Sequence, residues 1–144
     1  MKQSFHYAFM KAYLRFHRAV MEQAKNIGLT SGQPKILEFL AMRDGVEQKV
    51  IAEHCEIESA TAGSILTRME NAGLIERKRL GGNRRSIYVF ITERGREAAE
   101  KVNAIFEEVE RRAFEGIPDD EKEVLCRNLR KIYQNTVNSE DITW

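Results

Sequence analysis

Residues 59–92 read "SATAGSILTRMENAGLIERKRLGGNRRSIYVFIT". In the first part, closed by Gly73, Ala62, Ile65, Leu66 and Met69 recur at helical spacing and form an apolar stripe. Thr61, Ser64, Arg68 and Asn71 fall at i, i+3, i+7 and i+10, on the other side of the same helix. The second part holds two strand-like runs, "LIERKR" and "SIYVFIT". In the latter Ile87, Val89 and Ile91 alternate with Ser86, Tyr88 and Phe90. The "LGGN" between them is turn chemistry. The resulting hairpin carries Lys78, Arg79, Arg84 and Arg85 with little acid nearby. From Ser59 to Ile91 six cations stand against two acids (+4); from Thr92 onward nine stand against thirteen (−4); residues 1–58 have eight against seven, which sums to the chain's +1. A basic middle beside an acidic tail fits a surface that faces a polyanion.

Immediately upstream, "QKVIAEHC" is a short helical segment separated from the next helix by a tight break. The pair has the layout of a helix-turn-helix. Ala52 is small where two helices must approach, and Ile57 and Ile65 lie where the inner faces meet. The second helix then presents Thr, Ser, Gly and Arg with no large apolar group facing out, which suits a helix entering a major groove. On this reading Gly63 lets a nucleic-acid backbone come close, and the free N–H groups of the first turn suit a phosphate. A helix-turn-helix followed by a cationic hairpin is a winged helix. Arg84 and Arg85 at the tip reach a minor groove, while Lys78 and Arg79 near the base meet phosphates.

Further out, residues 4–27 read as a helix with Phe5, Phe9, Phe16, Val20 and Ile27 on its apolar face. "TSGQPKILEFLAMRDG" predicts a second helix, with Thr30 and Gln33 at capping-box spacing and Asp44-Gly45 as its end. Thr92 caps a long helix through Ala113, and Asp119-Asp120 open a last one after Gly116-Ile117-Pro118. The predicted order is α-α-α-α-β-β-α-α: a mainly α fold with a small β-hairpin. The terminal helices carry wide apolar stripes, more than one chain of 144 residues needs to cover. A two-fold dimer would bury the excess and imply a palindromic site.

The segment "NRRSIYVFIT" is similar to the D-x-R-x-x-x-V-x-L-T wing signature of the MarR family of bacterial transcriptional regulators. "TAGSILTRMENAGLIERK" resembles that family's recognition helix and the step into its wing, and "LTSGQPKIL" resembles its second-helix opening. The resemblance covers nearly the whole chain. It implies a single domain over 1–144, with a winged-helix lobe at 30–92 and a helical dimerisation region at 1–29 and 93–144. It implies a homodimer that binds double-stranded DNA and, by family habit, a repressor. Carried over by position, the recognition helix comprises Ser59, Ala60, Thr61, Gly63, Ser64, Thr67 and Arg68, and Arg85 matches the minor-groove arginine. Val89 and Thr92 match the strand end. Asn83 stands where the family has Asp, which replaces any carboxylate support for the wing arginine by an amide. Ile91 replaces Leu.

The resemblance also implies control by a small aromatic or phenolic effector lodged between the dimer helices and the DNA-binding lobe. The first helix, rich in rings with polar tips, would supply His6, Tyr13 and His17, beside the second helix and the one that begins at Thr92. Other chemistries are disfavoured. His6 and His17 lie roughly 16 Å apart by helical rise, and His54-Cys55 has no further ligands nearby, so no metal or other cofactor is expected. Cys55 at a helix end and Cys126 in an apolar-flanked helix are poor thiolates, and the first helix lacks the cysteine through which some relatives sense oxidants. Nothing resembles a nucleophile elbow or a nucleotide-binding loop, so no enzyme is expected. Two cysteines without CxxC pairing and no membrane-length apolar run fit a cytoplasmic protein. The broken N-terminus reads as no signal peptide. The competing class is a winged helix used only for protein contacts, which would want an apolar rather than a cationic exposed face.

Overall fold

The computed structural model describes residues 2–82 and 86–138. In chain order the elements are α1 (Phe5–Asn26), α2 (Gln33–Met42), β1 (Val46–Glu47), α3 (Gln48–His54), α4 (Ser59–Asn71), β2 (Ile75–Arg79), β3 (Ile87–Ile91), α5 (Glu93–Ala113) and α6 (Asp119–Thr136). The predicted helices and hairpin are all present. β1 is the addition: a two-residue strand that pairs antiparallel with β3, Val46 opposite Val89 and Glu47 opposite Tyr88. The sheet order is therefore β1-β3-β2. Two residues are too few to show a period, so only the free edge of β3 reveals them as a strand.

The core gathers at the junction of the lobe and the long helices. Phe39, Ile36, Leu37 and Leu40 of α2, Ile51 of α3, Leu66 and Met69 of α4, Val89 of β3 and Val102 of α5 are almost completely buried. α2 begins later than the capping-box spacing predicts, because Gly32 takes φ +87° and is the N-cap. Half of the box survives: Thr30 N–H donates to Gln33 Oε1 at 3.1 Å. Gly32 has a further reason to lack a side chain, since a Cβ there would lie 2.6 Å from Ile65 Cδ1 of α4.

Asp44 does more than end a helix. Its Oδ1 accepts from Gly45 N–H at 2.9 Å and from Ile91 N–H at 2.8 Å, and its Oδ2 accepts from Arg96 Nη2 at 3.1 Å. The end of α2, the root of the hairpin and the start of α5 are thus pinned at one carboxylate. At that root Thr92 caps α5 as expected, its Oγ1 accepting from Gly95 N–H at 3.0 Å.

The outer helices are a different matter. Val20 and Ala24 of α1 are buried, but Phe5, Tyr7, Phe9, Tyr13 and Leu14 remain about half exposed. No described residue of α6 is buried, and Val124, Leu125 and Ile132 lie open.

Candidate nucleic-acid interface

The helix-turn-helix is built by a tight reversal after α3. Ile57 N–H reaches back to the Ala52 carbonyl at 3.0 Å, and Glu56 adopts φ +54° between them. This is a Schellman-type ending with Glu where glycine is usual. Ala52 and Ile65 are both buried, as the two-helix reading requires. α4 turns Ala62, Ile65, Leu66 and Met69 inward. Ser59, Ala60, Thr61, Ser64, Thr67 and Arg68 are all exposed.

Exposure alone does not make these side chains equivalent. Ser64 Oγ donates to the Ala60 carbonyl at 3.2 Å, and Thr67 Oγ1 donates to the Gly63 carbonyl at 2.9 Å. Each proton is then held by the helix, which leaves mainly lone pairs for a base edge. Thr61 and Arg68 have no side-chain partner among the described residues. Gly63 also has a neighbour within the chain. It is half-buried, and a Cβ there would lie 3.3 Å from Gln48 Nε2, so its smallness leaves room for that side chain of α3.

Strand register sorts the cations of the hairpin. Arg77 pairs with Val89, Lys78 with Tyr88 and Arg79 with Ile87, while Ile75 opposite Ile91 forms the root. Lys78 and Arg79 therefore stand at the tip end of the ladder, not near its base, and they point to opposite faces. Lys78 Nζ lies 3.5 Å from Glu76 Oε2 and 5.3 Å from the centre of the Phe90 ring. Arg77, absent from the sequence-derived site, shares the helix-facing side with buried Val89. Its Nη2 donates to Thr67 Oγ1 at 2.9 Å and to Glu70 Oε1 at 3.2 Å, and its backbone N–H donates to Glu70 Oε2 at 3.1 Å. Hydrogen bonding from Arg77 holds the Glu70 carboxyl below the ordinary carboxylate range. Two cations of the hairpin thus have carboxylate partners, so the stretch is less unbalanced than its composition implies. Asn83, Arg84 and Arg85 lie outside the described residues.

Of the three expected effector residues, the structure brings Tyr13 and His17 together and leaves His6 apart. Tyr13 stacks on His17 with ring centres 6.0 Å apart, whereas the His6 ring meets only the edge of Tyr7 at 6.5 Å. Tyr13 lines an open apolar groove of about 810 Å³ with Phe9, Phe16, Val109, Leu125 and Leu129; neither histidine lines it. The groove runs between α1, the end of α5 and α6.

Cys55 is buried, and desolvation pushes its thiol up to about 11. Cys126 is exposed, which its apolar flanks did not suggest. His54 stacks on Phe39 with ring centres 4.1 Å apart. Among the described residues no group of three or more His, Cys, Asp or Glu could hold a metal ion, and no helix is long and apolar enough to cross a membrane.

With this geometry in view, the likenesses to known proteins fall into one pattern. Residues 27–86 match the MarR family model. The transcriptional regulator HosA of Escherichia coli is 27% identical over 104 residues, covering 72% of this chain and 77% of that one. Among solved structures, MepR of S. aureus in complex with DNA superposes with a TM-score of 0.85 at 22% identity, over 93% of this chain and 99% of that one. CouR of Rhodococcus jostii bound to p-coumaroyl-CoA superposes with a TM-score of 0.84 at 21% identity, over 95% of this chain and 96% of that one. The family model spans the helix-turn-helix and the first wing strand and ends at Ser86, just before β3, while the shared fold extends through the outer helices. Residues 27–86 thus match the MarR family of transcriptional regulators, and the fold of the chain is that of MarR regulators of known structure.

Proposed function

We propose that this protein is a dimeric, sequence-specific DNA-binding regulator, a repressor that leaves a palindromic operator when a small aromatic molecule binds. The observation that carries the reading is the exposed polar face of α4, with Thr61 and Arg68 uncommitted, set beside a cationic hairpin in a chain that matches the MarR family model. The likeness to MepR, solved on DNA, supports it. The lobe from 30 to 92 reads the DNA, α4 lying in the major groove and the wing, with Arg84 and Arg85 at its tip, beside it. The flanking helices join two copies, so that the half-sites fall about one helical turn, or a multiple, apart. The setting is the cytoplasm, where the operator is.

Selection of bound genomic fragments followed by footprinting tests this directly. A palindromic consensus protected by a dimer is the expected result. Failure to retain any fragment at low salt would turn the reading toward a protein-binding winged helix.

Within the site, Arg68 is expected to carry the strongest base contact, since its donors are free and suit the two acceptors of a guanine edge. Arg68→Ala should cost about 1–3 kcal/mol of operator affinity and relax the preference at one symmetric pair of positions. A selected-site profile identical to that of the parent would assign base reading elsewhere.

For the effector, the stacked Tyr13–His17 pair offers a planar surface with polar tips, which fits an aromatic acid or phenol. CouR, of the same fold, was solved with p-coumaroyl-CoA. Such a compound releases DNA only if it favours the non-binding state of the dimer. The expected result is a lowered operator affinity in its presence, and a blunted response in Tyr13→Ala with basal DNA binding retained.

A further inference from the structure

We infer that Arg77 is a positioning residue that locks the wing to the recognition helix, and that Thr67 belongs to this clamp rather than to the base-reading surface. The inference rests on the DNA-binding reading above and adds a mechanism to it. Arg77 sits mid-strand in β2, yet its side chain bonds two helices. It reaches Thr67 and Glu70 of α4 at 2.9 and 3.2 Å, and Gln48, the first residue of α3, at 3.5 Å from Nη1.

Both Nη2 protons are consumed by the bonds to Thr67 and Glu70, and the side chain is only 19% exposed. A guanidinium used in this way has little left for a phosphate. Lys78, the next residue, is 55% exposed and points to the other face of the sheet. Thr67 is equally committed, donating to Gly63 and accepting from Arg77. Its methyl and one lone pair are all that remain for DNA.

The consequence is geometric. β1 holds the ribbon only through β3, at Tyr88 and Val89, so a swing of β2 remains open and would misplace the cations at its far end relative to α4. The planar fork of Arg77 joins three elements at once, which lysine, with a compact ammonium, cannot reproduce. The wing is then already oriented when the helix meets the groove, and no ordering cost falls on binding.

The test compares Arg77→Ala, Arg77→Lys, Thr67→Val and, as a phosphate-contact control, Lys78→Ala on one selected operator over a range of salt. Expected for both Arg77 variants is a loss of about tenfold in affinity from the lost pre-orientation. The slope of log affinity against log salt should stay at the parent value, whereas Lys78→Ala lowers it by about 0.9 per lost phosphate contact. Hydroxyl-radical footprints of the Arg77 variants should lose the wing's protections while keeping those of α4. Thr67→Val should weaken binding without changing the selected-site profile.

Three results would overturn the inference. One is parental operator affinity in folded Arg77→Ala, even with a lowered Tm, which makes the network structural only. Another is a slope reduced by about 0.9 in Arg77→Ala and restored in Arg77→Lys, which makes Arg77 a phosphate contact. The third is a changed base preference in Thr67→Val. Should Arg77→Ala not fold, Arg77→Lys and Thr67→Val decide the matter alone. A parent protein that binds no DNA defeats the regulator reading instead and is distinguished at once.

Discussion

A variant carrying Leu125→Glu and Leu129→Glu is expected to sediment as a monomer and to lose about 100-fold or more in operator affinity. The cause lies in α6. Its 18 residues include none that is buried, although Val124, Leu125 and Ile132 recur along one side. An isolated helix of this length is marginal in water and is held chiefly by packing of its apolar face. Within one chain its described tethers are few: Lys122 Nζ lies 2.9 Å from Glu110 Oε1 and 4.8 Å from the centre of the Phe114 ring. Such an exposed ion pair is screened by solvent and contributes little.

A second copy supplies what is missing. The groove between α1, α5 and α6 is apolar along most of its length, and Phe5, Phe9 and Tyr13 stand half-exposed on its α1 wall. An isologous contact would bring the same surfaces of two chains together and bury them mutually. Two buried glutamates would place uncompensated charge in that contact, at a cost no surface pair offsets. With the dimer gone, each lobe binds its half-site alone, and the gain from linking the two binding events is lost. Sedimentation and gel shift on one preparation provide the check. A dimer that persists at micromolar concentration would place the interface elsewhere.

The second large effect concerns stability. Gly95→Ala should destabilise the fold by about 2–3 kcal/mol, a Tm lower by roughly 8 °C for a domain of this size. Two effects oppose each other here. In an ordinary helical position alanine would gain about 1 kcal/mol over glycine. At Gly95, however, a Cβ would run into the Leu74 carbonyl oxygen and lie 2.7 Å from Ile91 Cγ1. The Leu74 carbonyl is backbone, already bonded to Thr92 N–H at 3.0 Å, and cannot turn away as a side chain would. The steric cost therefore exceeds the propensity gain. Thermal unfolding of the variant measures the balance. A Tm equal to or above that of the parent would mean that the first turn of α5 shifts freely on the sheet, against the packing described here.

How much of this was legible beforehand differs from residue to residue. The apolar stripe of α4, the alternation of Ile87, Val89 and Ile91, and the Thr92 cap are local patterns. Each depends on side chains a few positions apart, so periodicity and capping chemistry suffice to read them, and all three hold. The family resemblance came from the same stretch and is confirmed by the match over residues 27–86. The exposed set on α4 follows from the stripe, because a helix with one buried face must present the other.

What the chain could not show by itself lies at contacts distant in sequence. Two-residue β1 becomes a strand only because β3 offers it a free edge, 43 positions away at Val46 and Val89. Gly63 leaves room for the Gln48 side chain of α3, and Asp44 is a three-way anchor because Ile91 and Arg96 arrive beside it. Arg77 was counted as one more cation on a basic hairpin. Strand register turned it inward, where Thr67, Glu70 and Gln48 converge on its guanidinium. Composition determines how much charge a segment carries. Only the tertiary structure decides which charges are spent within the molecule and which remain for a partner, since a hydrogen bond is a matter of position and direction.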